Sequence, residues 1–223
     1  MSDRIKVRGM VLSASPIGEN DRRLLLLTKE LGLISAFCRG AQKQKSSMAA
    51  GSRPFTAGSF EMFAGRSSYT VVGMEVLNYF DSLSRDPEAA AYGMFFMEFS
   101  AYYGREGIDG TDQLNLNYLT LAALEKRTLP FRLIASVFVL KTMVISGEYS
   151  EQPLVQTGAM AENAWRYVVR APLGKLYSFE LDSASEKELE AAVQKLMEHY
   201  VDRQFKSLAV LEEMRSTLPI SEA

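Results

Sequence analysis

Residues 15–46 read SPIGENDRRLLLLTKELGLISAFCRGAQKQKS, and this stretch decides the fold of the front of the chain. It contains two turn signals, at Gly18 and at Gly32, and each is followed by an apolar run of the length of a strand. A basic loop that starts at Gly40 comes next. Few of these side chains are suited to catalysis, so the stretch indicates a small β-barrel that binds an anion rather than an active site.

The same pattern of short apolar runs and turns continues to about Val76, with side chains alternating at a period of two. It predicts five strands, over residues 7–13, 22–28, 33–39, 60–66 and 69–75. Five strands in a short stretch predict a compact barrel, and the oligonucleotide-binding (OB) fold is the commonest five-stranded form.

From Asp86 onward the apolar residues recur at helical spacing. Asp86-Pro87 is a helix-start signal, and Ser185 with Glu188 has the spacing of a capping box. The predicted helices cover residues 87–104, 112–126, 130–147 and a last stretch from about 185 past 200. The predicted fold class is therefore α+β, an N-terminal five-stranded OB-fold β-barrel (residues 1–80) followed by a C-terminal α-helical bundle domain (residues 81–223).

The composition is that of an ordinary soluble protein, with 47% hydrophobic and 23% charged residues. No apolar run approaches the ~18 residues needed to span a membrane. The first residues alternate charged and apolar side chains and lack the apolar core of a secretion signal. We therefore expect a cytoplasmic protein without a membrane partner.

Charge is distributed unevenly along the chain. Residues 1–80 contain 11 Lys and Arg against 6 Asp and Glu, a net charge of +5, whereas the remainder has a net charge of −7. A basic front favours a polyanionic partner for the first domain.

Candidate catalytic groups are scarce. The chain has one histidine, His199, in a charged helix, and one cysteine, Cys38, in a predicted strand where a buried structural thiol is expected. A single cysteine excludes an internal disulfide and a multi-cysteine metal site, and no glycine-rich phosphate loop is present. We therefore predict no catalytic residue, no metal and no cofactor, which leaves a hydrolase as the weakest hypothesis.

Cations cluster around the loop after the third predicted strand. This loop, residues 39–53, has four cations and no anion, and its small residues let the backbone approach a ligand. With cations on neighbouring strands it predicts a track for phosphates, and Phe37 is placed to stack a base. On composition alone, a flexible loop that is basic by chance explains the pattern equally well. The predicted DNA-binding residues are Arg22, Arg23, Arg39, Lys43, Lys45, Arg53, Arg66 and Phe37.

Short motifs along nearly the whole chain carry a family resemblance. In the front part they are Val11-Leu12, Gly18 to Arg22, Leu27 to Glu30 with Gly32, Arg39-Gly40-Ala41 with Lys45-Ser46, and Pro54-Phe55-Thr56. In the back part they are Phe138 to Lys141 before Gly147, Leu176 and Phe179, and Leu208 to Leu211 after Lys206-Ser207. In order and spacing these motifs resemble the RecO family of bacterial DNA repair and recombination mediator proteins.

The resemblance implies a cytoplasmic, nucleoid-associated binding protein that is not an enzyme. RecO-like proteins bind single- and double-stranded DNA through the OB domain and anneal complementary strands. They also bind the C-terminal tail of single-stranded DNA-binding protein (SSB) and act with RecR to load RecA. The alternative is another OB-fold adaptor that binds RNA or protein and does not anneal strands.

Two further expectations concern the helical part. Many RecO proteins have a zinc site of two cysteine pairs, but the corresponding interval, about 148–162, is shortened and has neither cysteine nor histidine. A structural zinc site needs about four such ligands, so direct contacts are expected to replace it. For the acidic, apolar SSB tail we expect an apolar groove in which Lys141 or Arg132 holds the terminal carboxylate.

Overall fold

The computed structural model describes residues 3–43, 46–65 and 68–217, with the side chains of the last helix described up to Met214. The chain forms two compact units. The first comprises the residues up to Asp81 and the segment Ser100–Leu114. The second comprises Ser82–Phe99 and the residues from Asn115 onward.

The first unit is built on five strands, which are β1 (Asp3–Ile17), β2 (Asp21–Thr28), β3 (Gly32–Cys38), β4 (Ala57–Ala64) and β5 (Tyr69–Asn78). The β3–β5 pairing is parallel and the others are antiparallel, and the order β1-β2-β3-β5-β4 closes when β4 pairs with β1. A short helix, α1 (Ser47–Gly51), lies between β3 and β4 in a stretch predicted as loop. The predicted five-stranded sheet is confirmed, and β1 and β5 are longer than predicted.

Alternation along the strands fills the inside of the barrel with apolar side chains. This core includes Val7, Val11, Leu24, Leu26, Ile34, Ala36, Phe60, Met62 and Val71. Cys38 belongs to the same core and is fully buried, as expected for a structural thiol.

The turn between β2 and β3 is held by the later segment 104–110 of the same unit. Leu33 donates its backbone N–H to the Arg105 carbonyl at 3.1 Å. Gly32 has a left-handed backbone (φ +65°), and a Cβ atom there would lie 2.2 Å from the Arg105 carbonyl oxygen. Glycine is therefore required at this turn both by the backbone conformation and by the close approach of the second segment.

The helices that follow the sheet are α2 (Pro87–Tyr103), α3 (Thr111–Lys126), α4 (Phe131–Ile145), α5 (Ala159–Arg170), α6 (Ser183–Tyr200) and α7 (Lys206–Thr217), with short 3-10 helices at Leu83–Arg85 and Leu173–Lys175. They complete the predicted α+β class. Five phenylalanines pack together in the second unit with ring centroids 4.4–6.2 Å apart, namely Phe95, Phe96, Phe99, Phe138 and Phe205. No helix in the described part of the chain is both long enough and apolar enough to cross a membrane.

The last predicted helix differs from the structure at both ends. Asp182 caps α6, because its Oδ1 accepts the backbone N–H groups of Ala184 and Ser185 at 3.0 Å each. The capping box predicted at Ser185 is therefore wrong, since the helix already begins at Ser183. α6 ends at Tyr200, and residues 201–205 separate it from α7.

Direct contacts hold the shortened interval before α5. Trp165, which is fully buried, donates its indole N–H to the Ser150 carbonyl at 3.1 Å. Gly158, at the start of α5, donates its backbone N–H to Glu188 of α6 at 2.7 Å. Among the residues that the structure describes, no three or more His, Cys, Asp or Glu side chains are grouped to hold a metal ion.

Candidate nucleic-acid interface

The basic loop after β3 is fixed to the turn between β1 and β2. Gly40, with φ +68°, donates its backbone N–H to Asp21 Oδ1 at 2.7 Å. The Gln42 side-chain amide donates to the Asp21 carbonyl at 2.7 Å, and the Gln42 backbone N–H donates to the Asn20 carbonyl at 2.9 Å. Asp21 and Gln42 thus position the loop, a role that the sequence interpretation missed. The only signal was a carboxylate at the start of β2 beside a loop that begins with glycine.

Two cations of this loop, Arg39 and Lys43, extend into solvent. Neither side chain makes a hydrogen bond or ion pair with another described residue, and both are exposed. Their charges are therefore available to replace the counterions of a phosphate backbone. Lys45 and Arg66, which are also predicted DNA contacts, lie outside the described residues.

Strands β2 and β3 add an arginine and an aromatic ring beside the loop. Arg23 and Phe37 are cross-strand neighbours, and both face outward because the next residue on each strand is buried. Phe37 is 38% exposed, and Arg23 donates Nε–H to Ser35 Oγ at 2.7 Å, which holds its guanidinium against β3. We name this surface the β3 face, and it consists of Arg23, Phe37, Arg39 and Lys43.

Arg22 and Arg53, by contrast, already have partners. Arg22 Nη1 donates to the Ala49 carbonyl at 3.2 Å and to Ser52 Oγ at 2.8 Å, so this arginine holds the end of α1. Arg53 forms an ion pair with Asp81 at 3.1 Å. Each is a predicted phosphate contact, but each must exchange these partners for a phosphate before it can bind one.

Lys141 lies inside the helical unit rather than on its surface. It is 7% exposed, and Nζ donates to the carbonyls of Val168, Val169 and Ala171 at 3.1, 3.1 and 2.8 Å. These carbonyls are at the C-terminal end of α5, where a positive charge is favourable. An ammonium group has three N–H donors, and these three carbonyls accept them. The predicted contact between Lys141 and a peptide carboxylate is therefore wrong, and Lys141 instead caps the C-terminal end of α5.

Arg132, the other predicted partner contact, lines an apolar groove of the helical unit. The groove has a volume of about 550 Å³. Its walls include Phe95, Val139, Val193, Met197 and Leu208, from α2, α4, α6 and α7. Arg132 is half-exposed and lies 3.8 Å from Glu190.

One wall of this groove, α7, is held at its start by Glu98. Its carboxylate accepts the Ser207 backbone N–H at 3.0 Å and the Ser207 hydroxyl at 2.6 Å. Burial alone raises the pKa of Glu98, but the hydrogen bonds from Ser207 and Lys206 and the charge of Arg203 together bring this pKa below its ordinary value. The ionised form of Glu98 is therefore the one that stabilises α7.

The two residues that sequence reasoning considered for nucleophilic chemistry are not arranged for it. Burial raises the pKa of the Cys38 thiol to about 11, so the reactive thiolate is scarce near neutral pH. His199 is exposed at the end of α6 and packs edge-on against Tyr200, with ring centroids 4.7 Å apart. Cys38 belongs to the buried core of the first unit, and His199 belongs to the second unit.

Comparison with known proteins places this chain in a family. The family model described as recombination protein O, N terminal, matches residues 1–80. A protein named DNA repair protein RecO from Alkaliphilus metalliredigens is 34% identical over 164 residues, which are 73% of this chain and 67% of the relative. The chain belongs to the RecO family. This confirms the resemblance carried by the motifs.

Other relatives extend the match over both units. The DNA repair protein RecO of Acetivibrio thermocellus is 23% identical across 94% of this chain and 97% of its own length. That of Rubrobacter xylanophilus is 34% identical over 142 residues, which are 63% of this chain and 56% of the relative. Similarity to RecO is therefore not restricted to the barrel.

Proposed function

We propose that this chain is a DNA repair protein of the RecO type, and that its barrel is an OB fold which binds single- and double-stranded DNA through the β3 face. The observation that carries the proposal is the exposure of Arg39 and Lys43 on a loop that Asp21 and Gln42 fix in place. Such cations bind phosphates without reading sequence. The names of the relatives support repair as the process served.

Annealing follows from the same charges. Two complementary strands repel each other through their phosphates, and cations that replace counterions reduce this repulsion. Pairing of the bases then releases free energy, so the reaction needs neither an energy source nor a catalytic residue. In this proposal the protein is not an enzyme. It acts with RecR to help load RecA onto SSB-coated single strands.

Salt-dependent DNA binding tests the interface. Changing Arg39 and Lys43 together to Ala removes two phosphate contacts, and we expect the slope of log K against log salt to fall by about 1.4 on single strands and about 1.8 on duplex. The variant K126A/K187A loses the same charge from exposed positions on α3 and α6 and serves as the matched control. An unchanged slope in R39A/K43A places the DNA track on another surface.

An annealing assay on SSB-coated complementary strands separates the two hypotheses left open by the sequence. A RecO-type mediator accelerates annealing, and R39A/K43A accelerates it less. DNA binding without any acceleration identifies an OB-fold adaptor instead. Absence of DNA binding at low salt refutes the proposed function altogether.

We assign the acidic, apolar tail of SSB to the groove lined by Arg132. Its apolar walls suit the hydrophobic side chains of such a peptide, and Arg132 is long enough to exchange Glu190, at 3.8 Å, for a terminal carboxylate. Glu190, Glu198 and Glu212 also line the groove. The terminal carboxylate and the apolar side chains, rather than the total charge of the tail, are therefore expected to determine affinity.

Fluorescence anisotropy with a labelled tail peptide tests this assignment. Arg132→Glu should weaken binding at least tenfold, whereas Arg85→Glu, an exposed reversal outside the groove, should leave it unchanged. A peptide with an amidated C-terminus should bind the wild type as weakly as the natural peptide binds R132E. Equal affinity of R132E and the wild type for the natural peptide moves the site elsewhere.

A further inference from the structure

A single row of side chains crosses the outer surface of the barrel. The register pairs Arg23 with Phe37, Phe37 with Thr70, Thr70 with Phe63, and Phe63 with Arg4. The buried core residues adjoin this row along the strands, so the row itself points away from the core. The outer surface therefore presents two aromatic rings in line, with an arginine at each end, of which Arg4 forms an ion pair with Glu61. We name it the aromatic row.

Both rings of the aromatic row are open to solvent. Phe37 is 38% exposed and Phe63 is 41% exposed, and neither packs against another aromatic ring of the described chain. Two strand spacings of about 4.8 Å place the rings about 10 Å apart. The two rings are therefore too far apart to pack against each other, and each is a separate contact surface.

Next to Phe63 the surface is concave. A cleft of about 560 Å³ is lined by Phe63, Thr70 and Val72 of the sheet, by Ser68 before β5, and by Arg39 and Met48. The Arg39 side chain makes no hydrogen bond or ion pair with another described residue. The aromatic row therefore opens into a recess that has a guanidinium on its wall.

This arrangement has the features of a site for unpaired bases. An aromatic face stacks on a base of any identity, and cations beside it follow the phosphates. In a duplex the base faces are already stacked on each other, so rings of this kind discriminate between single and double strands. Neither the chain's cations alone nor an apolar patch alone has this property.

We propose that Phe37 and Phe63 stack two different bases of a single DNA strand, with Arg23 and Arg39 beside its phosphates, so that the aromatic row selects single-stranded over duplex DNA. This inference rests on the proposed DNA binding and adds the source of strand selectivity.

A tryptophan at one ring position reports stacking directly. The chain's one tryptophan, Trp165, is fully buried in the other unit. In Phe37→Trp a second, exposed indole is therefore the group able to respond to a ligand on the barrel. We expect oligo(dT) to quench this emission at the concentrations at which it binds, and a duplex of the same length to quench it much less.

Removal of the rings gives the matching affinity test. In Phe37→Leu with Phe63→Leu, an apolar side chain remains at each position and keeps part of the contact with the base. We therefore expect single-strand affinity to fall about 5- to 30-fold, less than the loss of about 30-fold or more for complete removal of two stacking contacts. Duplex affinity should change less than about twofold, because duplex binding depends on phosphate contacts. Tyr200→Leu, at a 37% exposed ring on α6, controls for loss of an exposed aromatic.

The outcomes separate this inference from the proposed function. If the wild type binds DNA but the double leucine variant keeps its single-strand affinity, the stacking assignment is wrong and the phosphate track stands. Equal losses on single strands and duplex also overturn it, since they indicate a general defect of the barrel. Quenching of the Phe37→Trp emission by an acidic apolar peptide, and not by oligo(dT), assigns the aromatic row to a protein partner instead.

Discussion

Substitution of Gly32 by Ala tests how the β2–β3 turn is held. Gly32 has φ +65°, and an added Cβ would lie 2.2 Å from the Arg105 carbonyl oxygen and 2.5 Å from that of Ile108. Cβ atoms in proteins essentially never come within 3.0 Å of a heavy atom outside their own residue and its two chain neighbours. Since both neighbours are backbone atoms, the segment 104–110 must move away from the turn.

The cost follows from the contacts that this movement breaks. The left-handed backbone costs an alanine about 1–2 kcal/mol, partly offset by about 0.4–1 kcal/mol because the substitution stiffens the unfolded chain. Displacement of the segment breaks the bond from Leu33 to Arg105 and that from Gly107 to Leu31, each contributing about 0.5–1.5 kcal/mol. With the steric strain that remains, we expect Gly32→Ala to lower the free energy of unfolding of the barrel unit by about 3–5 kcal/mol.

Two other glycines supply the controls. Gly18 (φ +56°) and Gly107 (φ +79°) have left-handed backbones, but an added Cβ meets nothing within 4 Å at either position. Alanine there should cost only about 1 kcal/mol, from the backbone term alone. The difference in unfolding free energy between Gly32→Ala and these two variants therefore measures the cost of the close approach between residues 104–110 and the Gly32 turn.

Hydrogen exchange is the suitable assay, because unfolding of a chain with two units need not be two-state. The Leu33 and Gly107 amides, which donate between the two segments, should lose protection in Gly32→Ala before the barrel core does. The reasoning is refuted if Gly32→Ala costs no more than Gly107→Ala, or if the Leu33 amide remains as protected as in the wild type.

Three further predictions concern single side chains. Asp21→Ala should weaken DNA binding in a gel-shift assay several-fold by releasing Gly40, whereas Asp21→Asn, which keeps the acceptor oxygen, should retain most of the wild-type affinity. Lys141→Met should cost the helical unit about 2–4 kcal/mol in urea denaturation, because three buried carbonyls lose their donor. Because the pKa of Glu98 is lowered in the folded chain, its contribution to stability is complete above its unfolded pKa and is lost as pH falls through the folded value. The wild type should therefore lose stability as pH falls below the ordinary Glu pKa of about 4.3, more steeply than Glu98→Gln.

The first strands of the barrel could be predicted because the residues that specify them are close together in the sequence. The turn at Gly18, the turn at Gly32 and the alternation between them specify β1 to β3 without knowledge of the rest of the chain. The approach of residues 104–110 to the Gly32 turn was not predictable in this way. It depends on backbone hydrogen bonds between segments about seventy residues apart, which leave no pattern of side chains.

In the helical unit the packing of apolar side chains could be predicted from the sequence, but the partners of polar side chains could not. Its aromatic core was expected from the phenylalanines of α2, since dense apolar side chains usually pack inside. The position of Lys141 was not expected, because a lysine is almost never buried unless it is paired. Only the fold shows that the end of α5 provides three carbonyl partners. The same limit applies to the cap of α6, where Asp182 and Ser185 are both good capping residues and only the structure shows that Asp182 is the cap.

We expect residue type to overestimate the proposed DNA interface, and the salt dependence of binding can show by how much. The sequence predicts seven cationic contacts, which correspond to a slope of log K against log salt of about −5 on single strands. Two of these cations, Arg22 and Arg53, are engaged with partners inside the barrel unit. Of the seven, Arg23, Arg39 and Lys43 remain in the described chain, and Lys45 and Arg66 lie outside it. We therefore expect a slope of log K against log salt between about −2 and −3.5 on single strands. A measured slope near −5 would require Arg22 to release Ser52, and therefore the end of α1 to rearrange when DNA binds.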